Sequence, residues 1–411
     1  MSRVIVVGAG LSGLACARVL AARGVEPVVL EADLEVGGRV RTSREGGFLV
    51  DRGFQVLLTA YPEAQAVLDV DALDLGHFAP GAWVRHGGTF QKIGDPLRRP
   101  SQALPTLLSN VGTVLDKLKV LRLRRSVLSA STGELWARPE TTTDRALRER
   151  YGFSDRMIDR FFRPFLGGVL LDPLLGASSR AFEVYFQRFS QGTAALPAGG
   201  IQAIPEQIAG GLPHPVRFGA RVEAVSRGEA SIEGGDPVSA DAVVVATDAR
   251  AAGTLLGLEA PPWKSTVQLA WAAPTPPMTE PVLVLDGERS GPVNNAQVVS
   301  NVQPTYAPSG QSLVTASVLG RPPQSDTVLE ADARTQLRSW FGPSVDDWRL
   351  IRADHVRDAL PELPSLDPPE RSPRVQDGIY VTGDWRRNAS INGALVAGRH
   401  AAEAVLADLG A

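Results

Sequence analysis

The chain has 411 residues, 44% of them hydrophobic and 21% charged, a composition typical of a globular protein large enough for two domains. Its net charge of −3 predicts no general attraction to nucleic acid. The only cysteine, Cys16, excludes an internal disulfide and a cysteine-based zinc site, and the spacing of the histidines predicts no metal centre.

The N-terminal segment does not resemble a secretory signal. It runs from Met-Ser-Arg directly into an apolar strand-like run, without the basic, apolar and small-residue zones of such a signal. No apolar run in the chain is long enough to span a membrane. We therefore expect a cytoplasmic protein, and peripheral contact with the inner face of a membrane stays open.

A glycine motif near the N-terminus predicts a dinucleotide site. Residues 4–7 form a short apolar run rich in β-branched side chains, which is typical of a buried parallel strand. Gly8, Gly10 and Gly13 follow, and a helical pattern then leads to a second strand that ends at Glu31. The first glycine permits a tight turn, the second lets the backbone approach a pyrophosphate, and the third lets the helix pack on the strand.

The same segment offers hydrogen-bond partners to a nucleotide. The helix N-terminus at Leu11 and Ser12 presents free amides and a partial positive charge to phosphates. Glu31, followed by Ala32, can accept hydrogen bonds from both ribose hydroxyls. Glycines also mark ordinary tight turns, but strand, motif, helix, strand and acid occur here in the order that a cofactor site requires.

A second glycine element lies close after the acid. Gly37 and Gly38 let the chain pass near the pyrophosphate, and Arg39 can neutralise its charge. Arg39 and Arg41 could instead form a solvated surface pair, but the flanking glycines favour the phosphate role. The Glu-Ala pair followed by Gly-Gly-Arg-Val-Arg-Thr resembles the flavin amine oxidase superfamily. Its members include phytoene desaturases, protoporphyrinogen oxidases, squalene-type desaturases and monoamine or polyamine oxidases.

The resemblance implies an α/β protein in which a Rossmann-type FAD-binding domain is interleaved with an α+β substrate domain. It implies non-covalent FAD, because no cysteine is present near the C-terminus to form a covalent link. Residues 50–55 resemble the segment that passes the isoalloxazine ring, which assigns Gly53 and Phe54 to the cofactor. Val222 is expected to hold the adenine region through its backbone, and residues 196–201 resemble the family's Pro-x-Gly-Gly element.

The C-terminal end of the chain carries a matching motif. A strand-like run ends in Gly383 and Asp384, and a long helical pattern opens after Ser390. The resemblance implies that Asp384 lies at the ribityl or pyrophosphate region. It also implies that Ile391, Asn392 and Ala394 lie at a helix N-terminus directed at the flavin pyrimidine, whose anionic reduced form that dipole favours.

These motifs predict a discontinuous cofactor domain formed by residues 1–75, 196–258 and 352–411. Residues 76–195 and 259–351 are expected to form the substrate domain, mainly helical after Pro96 and with strands near residues 267–271 and 312–316. Proline-rich segments at residues 273–281 and 360–373 are interpreted as rigid connectors. The resemblance is nearest to the phytoene desaturase and protoporphyrinogen oxidase branch.

One apolar stripe stands out in the first insert. Its members step by three or four residues along one predicted helix: Leu104, Leu107, Leu108, Val111, Val114, Leu115, Leu118 and Leu121. Basic residues crowd the C-terminal half of the segment. We favour a helix packed in the core with a solvated basic face, and the alternative is an amphipathic helix lying on an anionic membrane.

The residue pattern suggests the chemistry less directly. Flavin oxidation needs a substrate C–H near N5, water excluded, and an electron acceptor such as oxygen, a quinone or a protein carrier. Gln55, Trp385 and His355 are the candidate residues facing the substrate. Lys264 is the one lysine that could match the amine oxidase pattern, although a solvated surface lysine is the favoured interpretation.

We expect dehydrogenation of a small apolar, isoprenoid- or carotenoid-like substrate by hydride transfer to flavin N5. An amine oxidase and a protoporphyrinogen oxidase-type enzyme stay open as alternatives. So do a redox-neutral flavin-dependent isomerase and a lipid-binding escort protein.

Overall fold

The computed structural model describes residues 2–95, 98–366 and 371–411. The strands, in chain order, are β1 (Arg3–Val7), β2 (Glu26–Leu30), β3 (Thr42–Glu45), β4 (Phe48–Asp51), β5 (Leu57–Leu58), β6 (Gly76–His77), β7 (Gly81–His86), β8 (Thr89–Gly94), β9 (Ala194–Leu196), β10 (Val222–Ser226), β11 (Glu229–Ile232), β12 (Val238–Ser239), β13 (Ala242–Val245), β14 (Trp263–Ala273), β15 (Leu283–Asp286), β16 (Val293–Val298), β17 (Ser312–Leu319), β18 (Arg349–Pro361), β19 (Arg374–Gln376) and β20 (Ile379–Val381).

The α-helices are α1 (Leu11–Ala22), α2 (Pro62–Val67), α3 (Ala103–Leu108), α4 (Val114–Leu128), α5 (Thr132–Ala137), α6 (Thr143–Arg145), α7 (Asp155–Met157), α8 (Arg163–Leu170), α9 (Ser179–Gln191), α10 (Ala203–Gly210), α11 (Ala249–Leu256), α12 (Val299–Val302), α13 (Asp326–Phe341) and α14 (Ile391–Leu409). α6 and α7 continue into π-helical turns over Ala146–Arg150 and Ile158–Phe162.

A five-stranded sheet carries the predicted cofactor motifs. Its strand order is β19-β20-β13-β1-β2, with β20, β13, β1 and β2 parallel. Both faces of this sheet are covered, which explains why β1 and β13 are continuous apolar runs. The strands come from three separated stretches of chain, as expected for an interleaved α/β domain. The residue boundaries given above for the two domains stay a prediction.

Helices from the two ends of the chain pack together on this sheet. α1 and α14 share a core cluster that includes Leu14, Cys16, Leu395 and Ala401. A Cβ on Gly398 would lie 2.2 Å from the Ser12 carbonyl oxygen, so the helices approach as closely as their backbones permit. The lack of a side chain at Gly398 therefore permits the close approach of α14 to α1, the helix that begins within the glycine motif.

The second large unit is a seven-stranded sheet with the order β18-β14-β17-β16-β15-β7-β8. All its strand pairs are antiparallel except β15 with β7. α13 covers one face, where Trp271, Leu337 and Trp340 pack in one core cluster. The other face carries Ala270 and Ala272, which pack against β4 and Tyr306. The strands predicted near residues 267–271 and 312–316 are thus confirmed as β14 and β17.

Helices α4 to α9 form a separate cluster beside these sheets, and here one expectation is wrong. The apolar stripe is divided between α3 and α4, and most of its members are exposed rather than buried. Only Val111 is in the core. α4 instead packs on α9 through Leu123 and Val127, which lie on its opposite side. The sequence period identified an apolar face correctly, but that face is not the packed one.

The remaining expectations concern membrane-spanning helices and the two proline-rich connectors. Within the described residues, no helix combines the length and the apolar character needed to cross a membrane. The connector predicted at residues 273–281 joins β14 to β15. The one predicted at residues 360–373 begins at the end of β18, and part of it, like Pro96, lies outside the described residues.

Candidate cofactor site and active site

The glycine turn has the close contacts that its sequence predicts. Gly8 has a φ of +104°, and a Cβ there would lie 3.0 Å from the Ala246 carbonyl oxygen. A Cβ on Gly13 would lie 2.0 Å from the Gly8 carbonyl oxygen, whereas one on Gly10 would meet no atom within 4 Å. Gly8 and Gly13 are therefore fixed by the turn itself, while the backbone at Gly10 is accessible from the side where a pyrophosphate would approach.

The acidic residue at the end of β2 is held in position. Glu31 Oε2 accepts from the Ala9 amide at 2.7 Å, and its Oε1 accepts from the Asp33 amide at 2.9 Å. The Glu31 carbonyl accepts from the Ala220 amide at 2.8 Å. This bond brings the chain leading to β10 beside β2, and Val222 packs in the same cluster as Leu30. The predicted ribose and adenine residues thus lie at one edge of the sheet.

Arg39 joins the two distant motifs. Its Nη2 lies 2.6 Å from Asp384 Oδ1, and its Nη1 donates to the Ala359 carbonyl at 3.1 Å. Burial by itself would lower the pKa of Arg39, but the Asp384 carboxylate outweighs burial and raises it. The adjacent Gly38 lies against Gly10, since its Cβ would be 3.7 Å from the Gly10 Cα. Three motifs that are far apart in sequence therefore meet at one point.

Residues 50–55, which are predicted to pass the isoalloxazine ring, face the seven-stranded sheet. A Cβ on Gly53 would lie 3.6 Å from Val356 Cγ2 and 3.9 Å from Thr266 Cγ2. The Gln55 side chain donates to the carbonyls of Arg39 and Arg52. Gly53, Phe54 and Gln55 line a small cavity together with residues from β14, β16 and β17. The structure thus places Gln55 next to both the glycine element and the seven-stranded sheet.

Polar residues that sequence reasoning missed line the same cavity. Gln268 is 3% exposed, its Nε2 donates to the Asp51 carbonyl at 2.8 Å, and in the described part of the chain its Oε1 has no partner. Gln297 donates to Thr315 on the neighbouring strand. The signal was present in the sequence, because Gln268 interrupts the apolar alternation of β14 and must point away from Val267 and Leu269.

Asp51 is the acidic residue of this cavity. Oδ1 accepts from Thr42 Oγ1 at 2.6 Å and from the Ile201 amide at 3.0 Å, and Oδ2 accepts from Tyr306 Oη at 2.8 Å. These donors favour the carboxylate, but burial dominates and raises the pKa of Asp51 to about 6. Asp51 therefore connects the glycine element through Thr42, the Pro-x-Gly-Gly element through Ile201, and the seven-stranded sheet through Gln268.

Two of the candidate substrate-facing residues lie elsewhere. His355 is opposite Val267 in the β14–β18 register, on the face covered by α13, and its Nε2 lies 2.6 Å from Asp326 Oδ1. Trp385 is 3% exposed and packs with Val245 and Val381 in the core of the five-stranded sheet. Neither residue lines the small cavity beside Gln55, because strand register and core packing set their direction.

Lys264 also differs from the favoured interpretation. Its side chain is 14% exposed, and its Nζ lies 3.4 Å from Asp172 Oδ2 and donates to the Leu170 carbonyl. It is a largely buried, paired lysine rather than a solvated one. It does not line the small cavity beside Gln55. The amine oxidase alternative therefore receives no support from this residue.

The start of α14 lies beside a larger cavity. Ser390 Oγ caps the helix by accepting from the Gly393 amide at 2.9 Å, and Asn392 Oδ1 accepts from the Glu63 amide at 3.1 Å. Ile391 and Ala394 pack against the core cluster of α1.

In residues 2–95, 98–366 and 371–411, no group of three or more His, Cys, Asp or Glu residues could hold a metal ion.

Comparison with known proteins places the chain in a family. The family model described as flavin containing amine oxidoreductase matches residues 11–406. Protoporphyrinogen oxidase 2 of Arabidopsis thaliana is 30% identical over 178 residues, covering 41% of this chain and 32% of that protein. For several curated relatives, including this one, the match spans about a third to a half of their length.

Several similarities extend over nearly the whole chain. Hydroxysqualene dehydroxylase of Rhodopseudomonas palustris is 26% identical over 447 aligned positions, covering 99% of both proteins. The structure of putrescine oxidase bound to putrescine has a TM-score of 0.74 and 18% identity over 99% of each chain. The structural likeness shows the shared fold, a Rossmann-type domain interleaved with a substrate domain.

The family match covers nearly the whole chain, and the open glycine turn, the Arg39–Asp384 pair and the capped start of α14 fit the cofactor that this family carries. The lipid-binding escort alternative, which is not an enzyme, is thereby set aside. Redox chemistry of this kind requires a substrate that gives electrons and an acceptor that takes them. The chain belongs to the flavin-containing amine oxidoreductase family and is an FAD-dependent oxidoreductase.

Proposed function

We propose that the converging motifs hold FAD in the arrangement expected from the sequence. The glycine turn and the N-terminus of α1 would bind the pyrophosphate, Glu31 the adenosine ribose, and the backbone near Val222 the adenine. Arg39 and Asp384 would hold the middle of the cofactor. The start of α14 would lie at the pyrimidine and Gly53 at the ring. The Arg39–Asp384 contact supports this proposal most directly, because it brings both ends of the chain to one point.

The Asp384→Ala variant tests this arrangement. It leaves the Arg39 guanidinium without its carboxylate, and we expect purified protein with much less bound flavin and an FAD affinity lower by about tenfold or more. Flavin content from the visible spectrum and FAD titration of the apoprotein measure the effect. The Asp346→Ala variant is the matched control, since Asp346 pairs with Arg338 at the surface. Equal flavin content in both variants would contradict the proposed placement.

We further propose that the enzyme dehydrogenates a lipid-like substrate. The observation that carries this proposal is the leucine surface, defined here as the exposed members of the α3–α4 stripe: Leu104, Leu107, Leu108, Val114, Leu115, Leu118 and Leu121. They are 45–73% exposed, and such contiguous apolar exposure is characteristic of an interaction site. A relative that aligns over 99% of the chain is named hydroxysqualene dehydroxylase, which also supports a lipid-like substrate.

Hydride acceptance at flavin N5 is the chemistry that bound FAD would supply in this proposal. The chain itself supplies orientation and shielding. Gln55 and Gln268 line the small cavity, and Gln268 Oε1 is a buried acceptor without a partner in the described part of the chain. The packed sheet behind them excludes water from the face where the substrate would react.

An anaerobic bleaching screen separates the substrate classes. We expect the flavin absorbance to be lost with squalene-type or polyene lipids and to be retained with amines. Bleaching by amines alone would reject the proposal and favour an amine oxidase, and bleaching by porphyrinogens alone would favour a protoporphyrinogen oxidase-type enzyme. Turnover that starts only after chemical reduction, without net electron transfer, would indicate the isomerase.

We also propose that the leucine surface docks on an anionic membrane. Arg122 and Arg125 are exposed on α4 beside it, and neither makes an ion pair within the described residues. Lys117 Nζ donates to the Leu107 and Ser109 carbonyls, which links the C-terminal end of α3 to α4. Apolar side chains flanked by uncompensated cations suit a negatively charged lipid surface.

Vesicle flotation tests this docking. We expect the protein to float with phosphatidylcholine vesicles that contain phosphatidylglycerol and much less with phosphatidylcholine alone, with binding weakened by salt. The double variant Leu115→Glu/Leu118→Glu should lose flotation. Val328→Glu, which changes an apolar residue 48% exposed on α13, is the matched control and should retain it. Equal flotation of both variants would reject the leucine surface as the docking site.

A further inference from the structure

A larger cavity lies between the helical cluster and the start of α14. It has a volume of about 310 Å³, which is within the range of ligand sites. Its lining includes Tyr61, Trp136, Tyr185, Arg188 and Asn392. The cavity is thus lined by aromatic rings together with charged and amide groups, at the end of α14 where we place the flavin pyrimidine.

Arg188 is the unusual member of this lining. It is 8% exposed in the last turn of α9. Its guanidinium donates to Gln191 Oε1 at 2.7 Å and to Thr132 Oγ1, both of them neutral acceptors. In the described part of the chain Arg188 makes no ion pair. Burial lowers the pKa of its guanidinium, and the interaction with Tyr61 only partly offsets this lowering. A guanidinium stays charged in proteins, so Arg188 is a buried cation without a counter-ion.

Other arginines in the same region do have carboxylate partners. Arg399 lines the same cavity and pairs with Glu63 at 2.9 Å and with Glu403 at 2.7 Å. Arg150, beside the helical cluster, pairs with Glu183, a carboxylate of α9 that is fully buried. The carbonyl end of α9 stabilises a cation to some extent, but it does not replace a carboxylate. Arg188 therefore differs from Arg150 and Arg399, whose positive charges are balanced by carboxylates.

We propose that Arg188 binds the carboxylate of an organic ligand whose carbon skeleton contacts the aromatic lining of the cavity. A planar guanidinium and a carboxylate match in geometry and in charge. A phosphate dianion fits less well, because Glu63 lies in the same lining. This inference deepens the proposed function, and rests on it only in identifying the ligand as the lipid-like substrate, which would then be a squalene-type or polyene skeleton that ends in a carboxylate.

Decanoate and decanol, which share a chain length and differ in charge, are suitable probes. Titrated into the flavin-bound protein, decanoate should bind and raise the unfolding temperature more than decanol does. The Arg188→Gln variant should lose about tenfold or more of the decanoate affinity and little of the decanol affinity. Arg250→Gln, which changes a surface arginine 66% exposed, is the matched control. The Leu115→Glu/Leu118→Glu variant should also retain decanoate binding, which excludes adsorption to the leucine surface.

A second measurement separates ligand binding from a structural role. Without ligand, Arg188→Gln should unfold at the same temperature as the parent protein or higher, because it removes a buried charge that lacks a partner. A marked fall would indicate a structural role and overturn the proposal. So would equal affinity of the parent protein for decanoate and decanol, or stabilisation by inorganic phosphate as strong as that by decanoate. These readouts need no turnover, so a failed bleaching screen leaves them interpretable.

Discussion

Helices α14 and α4 carry similar apolar patterns but have opposite environments. α14 is packed against α1 at backbone distance through Gly398, and its apolar residues lie in the core of the five-stranded sheet. α4 packs through Leu123 and Val127, and the longer apolar stripe on its other side is exposed. Helical periodicity therefore identifies an apolar face but not its partner, since α14 packs on another helix of this chain whereas the apolar stripe of α4 is exposed.

The Gly398→Ala variant tests the packed side of this comparison and should have the largest effect. The new Cβ would lie 2.2 Å from the Ser12 carbonyl and 2.9 Å from the Ala15 Cβ, so α1 and α14 must separate. We expect a loss of about 3 kcal/mol in the free energy of unfolding, together with weaker flavin binding, because the glycine turn precedes α1. Chemical denaturation and flavin content measure both effects.

Gly210→Ala is the matched control for that substitution. Gly210 is the last residue of α10, and a Cβ there would meet no atom within 4 Å. We expect stability to stay the same or to rise by about 0.5–1 kcal/mol, since alanine favours a helix more than glycine does. If Gly398→Ala proved as harmless as this control, the close approach of α1 and α14 would be refuted.

An intermediate effect on stability is expected from Asp51, which lies where the predicted cofactor motifs meet the seven-stranded sheet. Its pKa is raised by burial to about 6, above the ordinary value of 3.8, so the native state holds the proton more tightly than the unfolded chain. Stability from this group is present at low pH and is lost as pH rises through about 6. Between about pH 5 and about pH 7 the loss is about 1.4 kcal/mol.

The Asp51→Asn variant isolates this titration. Asparagine keeps an acceptor for Thr42 and for the Ile201 amide but does not ionise in this range. The stability difference between the parent protein and the variant should therefore shift against the parent protein as pH rises from about 5 to about 7. Parallel pH profiles for the two proteins would show that burial of Asp51 does not control its titration.

The smallest effect is expected on the exposed side of the comparison. Leu115 is 66% exposed and Leu118 is 58% exposed, so replacing both with glutamate removes little packing. We expect the free energy of unfolding to change by less than about 0.5 kcal/mol in the absence of vesicles. A loss comparable to that of Gly398→Ala would mean that these leucines are packed in the folded protein and are not available for docking.

Local sequence predicts the parts of the site whose geometry is local. The glycine turn, the strand before it and the position of Glu31 follow from steric limits within a few residues, and all three occur in the structure. The contact between Arg39 and Asp384 joins residues 345 positions apart, and only the family resemblance indicated that they would be neighbours.

The features that local sequence did not predict share a physical cause. His355 and Trp385 have suitable chemistry near the right motifs, but strand register and core packing determine which way they point. Lys264 is largely buried and is paired with Asp172, an acid far away in the sequence. Arg188 carries no local signal, since the absence of a counter-ion depends on every segment packed around it. Residue identity is local information, whereas direction and environment depend on the whole fold.

The Arg39–Asp384 contact also has a consequence for biosynthesis. A ribosome makes the glycine turn and Arg39 first, and at about 5–20 residues per second it reaches Asp384 roughly 20–70 s later. During that interval the nascent N-terminal segment has neither its carboxylate partner nor the α14 surface against which α1 packs. We therefore expect FAD to be captured after translation, and stalled or shortened chains that lack α14 to be targets for chaperones and proteases rather than partly loaded flavoproteins.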